Sequence, residues 1–226
     1  MVQLLSQWSF INAPTFQGDF AIASEVASGA LSATKLGERV AQLYIDPYTA
    51  HQLLDALQNG IARNLRLTEF PLLHLLATTL EMRPLLNIRQ AEIETIDRKL
   101  LEEEDKLFVK SPSIYSHEYE EFLQTVKTAS FLQAWVQETG EDILLEEYNV
   151  TPGEVQSKRD IAEWLLYSLV ELAKLMKWHA MIVEFEDVSF GYPGGPQVLR
   201  DVTEHIESGS RIAVVGETGS GKTTFA

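Results

Sequence analysis

The stretch TPGEVQSKRDIAEWLLYSLVELAKLMK, Thr151 to Lys177, decides how most of this chain is read. It opens with a hydroxyl, a proline and, three residues after the hydroxyl, a carboxylate. Thr151 offers an N-cap acceptor, Pro152 loses nothing by lacking an N–H in the first turn, and Glu154 reaches back to the cap backbone, so a helix starts here. At 1.5 Å per residue that helix is roughly 40 Å long. Lys174 and Lys177 fall at its end, where a cation suits the helix dipole. Turned at about 100° per residue, Val155, Ala162, Leu165, Leu166, Leu169, Leu172, Ala173 and Met176 form one apolar stripe. A stripe of that length needs other helices to cover it.

Trp164 falls on the opposite side, near Ser157, Asp160, Tyr167 and Glu171. An indole placed there has two readings. Either a second layer of the bundle covers it, or it is a stacking platform for a nucleobase, whose π-face an indole can meet.

Upstream, residues 31–47 read as a helix ended by a proline, and further helices are expected over 48–58, 69–78, 88–107 and 117–138. The acidic run Glu102 to Asp105 reads as a solvated face. The pattern changes at Met181. IVEFEDVSF (182–190) alternates as a strand does, GYPGGP (191–196) is turn chemistry, and RIAVV (211–215) is a short apolar strand. That last strand leads into Gly216-Glu217-Thr218-Gly219-Ser220-Gly221-Lys222-Thr223, which fits the phosphate-loop pattern G-x-x-x-x-G-K-[ST] at every fixed position. In such a loop glycine N–H groups face phosphate oxygens, Lys222 neutralises the β- and γ-phosphates, and the Thr223 hydroxyl holds Mg²⁺. The alternative is a glycine turn without a ligand.

The totals set limits. The 226 residues carry a net charge of −15, of which −11 lies in 1–180 and −4 in 181–226. An acidic surface repels phosphate backbones at long range, so any nucleic-acid contact is expected to be local. With no cysteine there are no disulfides or thiolate metal sites, which fits a cytoplasmic chain. No apolar run approaches the roughly 20 residues of a membrane span. The five histidines have no metal-ligand spacing.

GERVAQLYIDPYTA (37–50), TEFPLLHLLATTLEMRPL (68–85), EYEEFLQTVKTASFLQAWVQE (118–138) and the 151–176 helix together resemble the accessory half of the archaeal HelQ-type superfamily 2 DNA helicases, in the family's order. The resemblance implies a winged-helix domain leading into a helical bundle whose long "ratchet" helix touches single-stranded DNA behind the motor. It places Trp164 at the ratchet aromatic and makes Lys158 and Arg159 candidate basic contacts, although the position one helical face before Trp164 holds Ser157. It also implies that the motor domains precede residue 1, so that this piece does not unwind DNA alone.

Residues 181–226 resemble the opening of an ABC-type ATPase, with Tyr192 standing 24 residues before Gly216. That resemblance implies ATP and Mg²⁺ as cofactors, Tyr192 stacked on adenine, and contacts from Gly216, Gly219, Ser220, Gly221, Lys222, Thr223 and Thr224. The rest of the hydrolytic machinery and any membrane partner belong, in that family, to segments beyond Ala226. The expected organisation is mainly α: a partial winged helix (1–46), a helical ratchet-type bundle (47–180), and a truncated α/β P-loop segment (181–226).

Overall fold

The computed structural model describes residues 1–12, 31–176, 183–191 and 197–206. The described part is mainly helical. It divides into one unit over Met1–Leu175 and a second over Met176–Ala226.

The first unit opens with α1 (Val2–Gln7), then β1 (Ile11–Asn12) paired antiparallel with β2 (Ser32–Ala33), then α2 (Lys35–Gln42). Thr34 caps α2: its hydroxyl oxygen accepts the Gly37 N–H and its own proton goes to the Ser9 carbonyl, so one side chain ties the helix start to the strand entry. Gly37 is required by proximity, since a Cβ there would stand 1.9 Å from the Phe10 carbonyl oxygen. The helix expected over 31–47 is therefore shorter, and Pro47 does not end it. Leu43 and Tyr44 close α2, and Asp46 caps the next helix by accepting the Tyr48 N–H, with Pro47 at its first position. An Asp-Pro pair begins helices as readily as a proline stops them.

Helices α3 (Pro47–Ala62), α4 (Glu69–Ala77), α5 (Ile93–Glu103), α6 (Glu118–Val136), α7 (Glu141–Tyr148) and α8 (Pro152–Leu175) build the bundle. Nearly every residue of α4 from Phe70 to Ala77 is buried, as expected for a helix apolar on all sides. It runs along α6 and also meets α3 and α8. The helix expected over 88–107 is broken into a 3₁₀ turn at Gln90–Glu92, α5, and a second 3₁₀ turn at Glu104–Lys106. The Glu92 carboxylate explains the first break, because it folds back onto the Arg89 backbone N–H at 2.8 Å. α7 has no counterpart among the expected helices. It ends on Asn149 in the left-handed conformation, the usual substitute for glycine at such a cap.

The start of α8 has the cap chemistry its sequence requires. The Thr151 N–H donates to Glu154 at 2.8 Å and the Glu154 N–H donates to the Thr151 hydroxyl at 3.3 Å. The Thr151 N–H foremost, and then the Thr151 hydroxyl, which donates to the same carboxylate at 2.8 Å, hold the Glu154 carboxyl below the usual range. Val155, Ala162, Leu165, Leu169, Leu172 and Ala173 are buried, while Leu166 and Met176, expected in the same stripe, are exposed. The stripe is narrower than expected because its true line passes through Lys158 and Ser168, which are buried.

The interior holds polar groups with specific partners. Lys127 is 4% exposed and its ammonium donates to the Asn87 carbonyl and the Glu92 carboxylate, each at 2.7 Å. Burial pushes the Glu92 carboxyl up, and its contacts with Arg89 and Lys127 outweigh that, leaving it below the usual range. His74 lies between Phe70 and Phe122, fully buried. The Thr125 hydroxyl gives its proton to the Phe122 carbonyl at 2.6 Å, so His74 Nε2 is the donor in its 2.9 Å contact with Thr125. His74 Nδ1 has no partner among the described residues. Desolvation lowers the imidazole to about 4, so it is neutral near pH 7.

In the second unit β3 (Val183–Gly191) and β4 (Gln197–Ile206) form an antiparallel pair with Val183 opposite Ile206 and register shifts along its length. Tyr192, the expected RIAVV strand and the phosphate loop of residues 216–223 lie outside the described residues, as does Thr224. Among the described residues no helix is long and apolar enough to cross a membrane.

Candidate nucleic-acid interface

Of the three residues on α8 singled out for DNA contact, Lys158 is placed in the interior. It is 5% exposed, and its ammonium donates to the backbone carbonyls of Met82 and Pro84. Burial pushes this amine below its ordinary range, with Glu154 drawing it partly back. Its stem follows the α8 stripe three residues after Val155, and its head closes the loop after α4. Such an amine has no free face for phosphate.

Arg159, the next residue, turns outward. Its guanidinium lies 3.3 Å from Asp160 and 3.7 Å from Glu163, and 5.9 Å above the Trp135 ring. The described outer face of α8 is otherwise acidic or self-compensated. Glu171 is hydrogen bonded to both Lys174 and Arg39, which together keep its carboxyl below the usual range. Phosphate attraction at this face is therefore confined to Arg159, with no broad basic surface around it.

Trp164 is half-buried. Its indole N–H donates to the Leu43 carbonyl at 3.0 Å, the last turn of α2. A few residues along α8, the Arg39–Glu171 ion pair fastens α2 a second time. The bundle layer expected to cover the tryptophan is thus α2 with its following turn, and it takes the polar edge of the ring. The rest of the indole lines a groove of about 660 Å³ together with Phe10, Val40, Tyr44 and Ile45. Asp46 and Glu81 add carboxylates to the same lining. A shape of this kind admits a flat, largely apolar group, and its volume falls within the roughly 300–1,000 Å³ of small-ligand sites.

Two features of this region are not evident from the helical pattern. Arg39 and Glu171 are 132 positions apart, and nothing local links them. The pattern also puts Tyr44 in the body of a helix, whereas it stands just beyond one. The Asp46-Pro47 start signal, read as a start, would have freed it.

Residues 70–190 match the family described as "Archaeal helicase, domain 4". The chain is 35% identical over 166 residues to the ATP-dependent DNA helicase Hel308 of Methanocaldococcus jannaschii, covering 74% of this chain and 13% of that protein. It is 38% identical over 145 residues to the Thermococcus kodakarensis helicase of the same name, covering 64% of this chain and 12% of the relative. With the Methanococcus vannielii helicase the identity is 33% over 150 residues, covering 64% of this chain and 18% of the relative. The chain thus spans less than a fifth of the length of these relatives. Because the family match takes in more than half of its residues, the chain belongs to the archaeal helicase domain 4 family.

Proposed function

We propose that residues 31–176 form a single-stranded-DNA-contacting accessory bundle of a superfamily 2 DNA helicase, acting beside motor domains and not as a motor itself. The observation that carries this reading is the placement of Trp164. It projects from the longest helix of the bundle, has its N–H already satisfied, and leaves ring surface in an open groove. Arg159 is the one basic partner that α8 offers near it, and Lys158 holds the loop at residues 82–84. The names of the relatives, all DNA helicases, support DNA as the partner. Fluorescence anisotropy with a labelled single-stranded oligonucleotide tests the reading. Losing one base–aromatic stack is worth about 1–3 kcal/mol, so Trp164→Ala is expected to weaken binding about tenfold. Trp164→Phe, which keeps a smaller aromatic face and loses the N–H, is expected to retain most of it. Equal binding by wild type and Trp164→Ala would remove the stacking role.

A second reading concerns residues 181–226, and the pattern at Gly216–Thr223 favours it. Here the segment, which contains the antiparallel β3–β4 pair, is the opening of an ABC-type nucleotide-binding domain. Lys222 and the glycine N–H groups would hold the phosphates of ATP, Thr223 would hold Mg²⁺, and Tyr192 would meet the adenine. ATP binding is expected to raise the melting temperature of the second unit in Mg²⁺, and Lys222→Ala to abolish that shift. No shift in the wild-type chain at millimolar Mg-ATP would eliminate this reading.

A further inference from the structure

The groove beside Trp164 is bordered by a second ring whose placement has no structural return. Tyr44 follows Leu43, the C-cap of α2, with a φ of 57°, the left-handed region where a Cβ is unwelcome and glycine or asparagine is usual. The other described non-glycine residues in this region are Ser9, Asn64, Glu138 and Asn149, none of them aromatic. Tyr44 is an aromatic, and the strain is not offset by packing: its side chain is 88% exposed and makes no hydrogen bond among the described residues. A strained backbone that displays a bare ring is an outlier of the kind that collects at binding sites.

Its neighbours say what the ring faces. Tyr44 lines the same groove as Trp164. The carbonyl that accepts the Trp164 N–H belongs to Leu43, the residue immediately before it, so the indole fixes the turn that holds the tyrosine out. The polar groups of the groove are carboxylates. Glu81 already accepts the Asp46 N–H at 3.2 Å and the Thr49 hydroxyl at 2.7 Å, so its charge is held in place. Fixed carboxylates repel a phosphate and accept amino protons. Two rings and an acidic wall select a flat aromatic group with N–H donors and leave any attached phosphate outside.

We propose that Tyr44 is a second base-contacting residue and that, with Trp164, it borders a site for one unpaired nucleobase of single-stranded DNA, entered base first. This rests on the single-stranded-DNA reading of the bundle, and the test separates the two. Tyr44→Gly is the informative variant, because glycine adopts the left-handed turn freely. Its melting temperature is expected to rise while its affinity for a fluorescein-labelled oligodeoxyadenylate falls at least fivefold, a combination a merely structural tyrosine would not produce. Tyr44→Phe keeps the ring and is expected to bind within twofold of wild type. If Tyr44→Gly binds as wild type does while Trp164→Ala is weakened, the second contact is overturned and the bundle's DNA role stands. If the wild-type chain does not bind the oligonucleotide, or neither substitution weakens it, both readings fall together.

Discussion

Around the loop at residues 82–87 the molecule buries its cations, whereas around the turn at residues 43–46 it exposes its rings. In the first region Lys127 and Lys158, from two different helices, hold the carbonyls of Asn87, Met82 and Pro84. The Leu86 N–H donates to the Thr128 hydroxyl between them. In the second region Tyr44 and part of Trp164 border an open groove, while the Leu43 carbonyl beside them is already paired. By residue type alone the lysines look suited to DNA and the tyrosine to a core. Their surroundings reverse both assignments, because a chain segment without helix or strand must find donors for its carbonyls and a long basic side chain supplies them.

On the buried side, Lys158 carries the most. Lys158→Ala would leave the buried Met82 carbonyl and the part-buried Pro84 carbonyl without their donor, and a void where the stem lay. Unmet hydrogen bonding of this kind costs about 1–3 kcal/mol and the lost packing adds to it, so a loss of about 3–4 kcal/mol is expected. Urea unfolding of wild type and variant measures it. A loss below about 0.5 kcal/mol, in the range of an ordinary surface substitution, would mean that the lysine is not the tie described here.

His74 gives the next effect, from the same buried side. Its folded value of about 4 lies below the ordinary 6.5, so the unfolded chain takes up the proton first as the pH falls. The stabilisation is complete above pH 6.5, declines as the pH drops from there toward 4, and levels off below. Its full size is about 3 kcal/mol, since each pH unit between the folded and unfolded values is worth about 1.36 kcal/mol. Stability measured by urea at intervals between pH 7 and pH 4 should fall more steeply in wild type than in His74→Leu. Parallel curves for the two proteins would show that His74 titrates no differently folded and unfolded.

Thr151→Ala tests a feature that sequence and structure share. Removing the N-cap hydroxyl of α8 is expected to cost about 1 kcal/mol, read as a lower melting temperature, and Thr151→Ser to recover most of it. This cap is legible because it needs only residues within four positions of each other. The same holds for the apolar spacing of α3, α4, α6 and α8, which is a local fact. What is not legible depends on distant partners, on choosing between two meanings of one residue, or on a short-range contact that the apolar spacing does not show. Pro47 signals a start or a stop, and only the Asp46 side chain on the Tyr48 N–H decides it. Glu92 folds onto Arg89 and breaks the expected long helix, a contact that periodicity does not contain. α7, with the sequence EDILLEEY, has a single buried residue, Leu144, too little for a pattern. At the candidate interface the helical wheel puts Trp164 on the far face of α8, but its partner at Leu43 lies 121 residues away, beyond the reach of any local pattern. Lys158 and Arg159 are adjacent in the chain, and only the bundle tells them apart.

That pair also supplies the smallest expected effect and the sharpest contrast. Arg159 is 39% exposed at its side chain and faces two carboxylates across solvent-screened distances. Exposed pairs of this kind are worth little, so Arg159→Ala should change unfolding free energy by less than about 0.5 kcal/mol. On the proposed DNA-contacting role, its effect is expected in DNA affinity. One arginine that releases about one counterion from a single strand should, when removed, weaken oligonucleotide binding a few-fold and flatten the salt dependence by about 0.7 in the log–log slope. Lys158→Met is the paired control: it should lower stability and, compared as folded protein, leave that slope unchanged. If instead the slope drops for Lys158→Met and not for Arg159→Ala, the buried ammonium reaches DNA after all, and the loop at residues 82–84 opens when the strand binds.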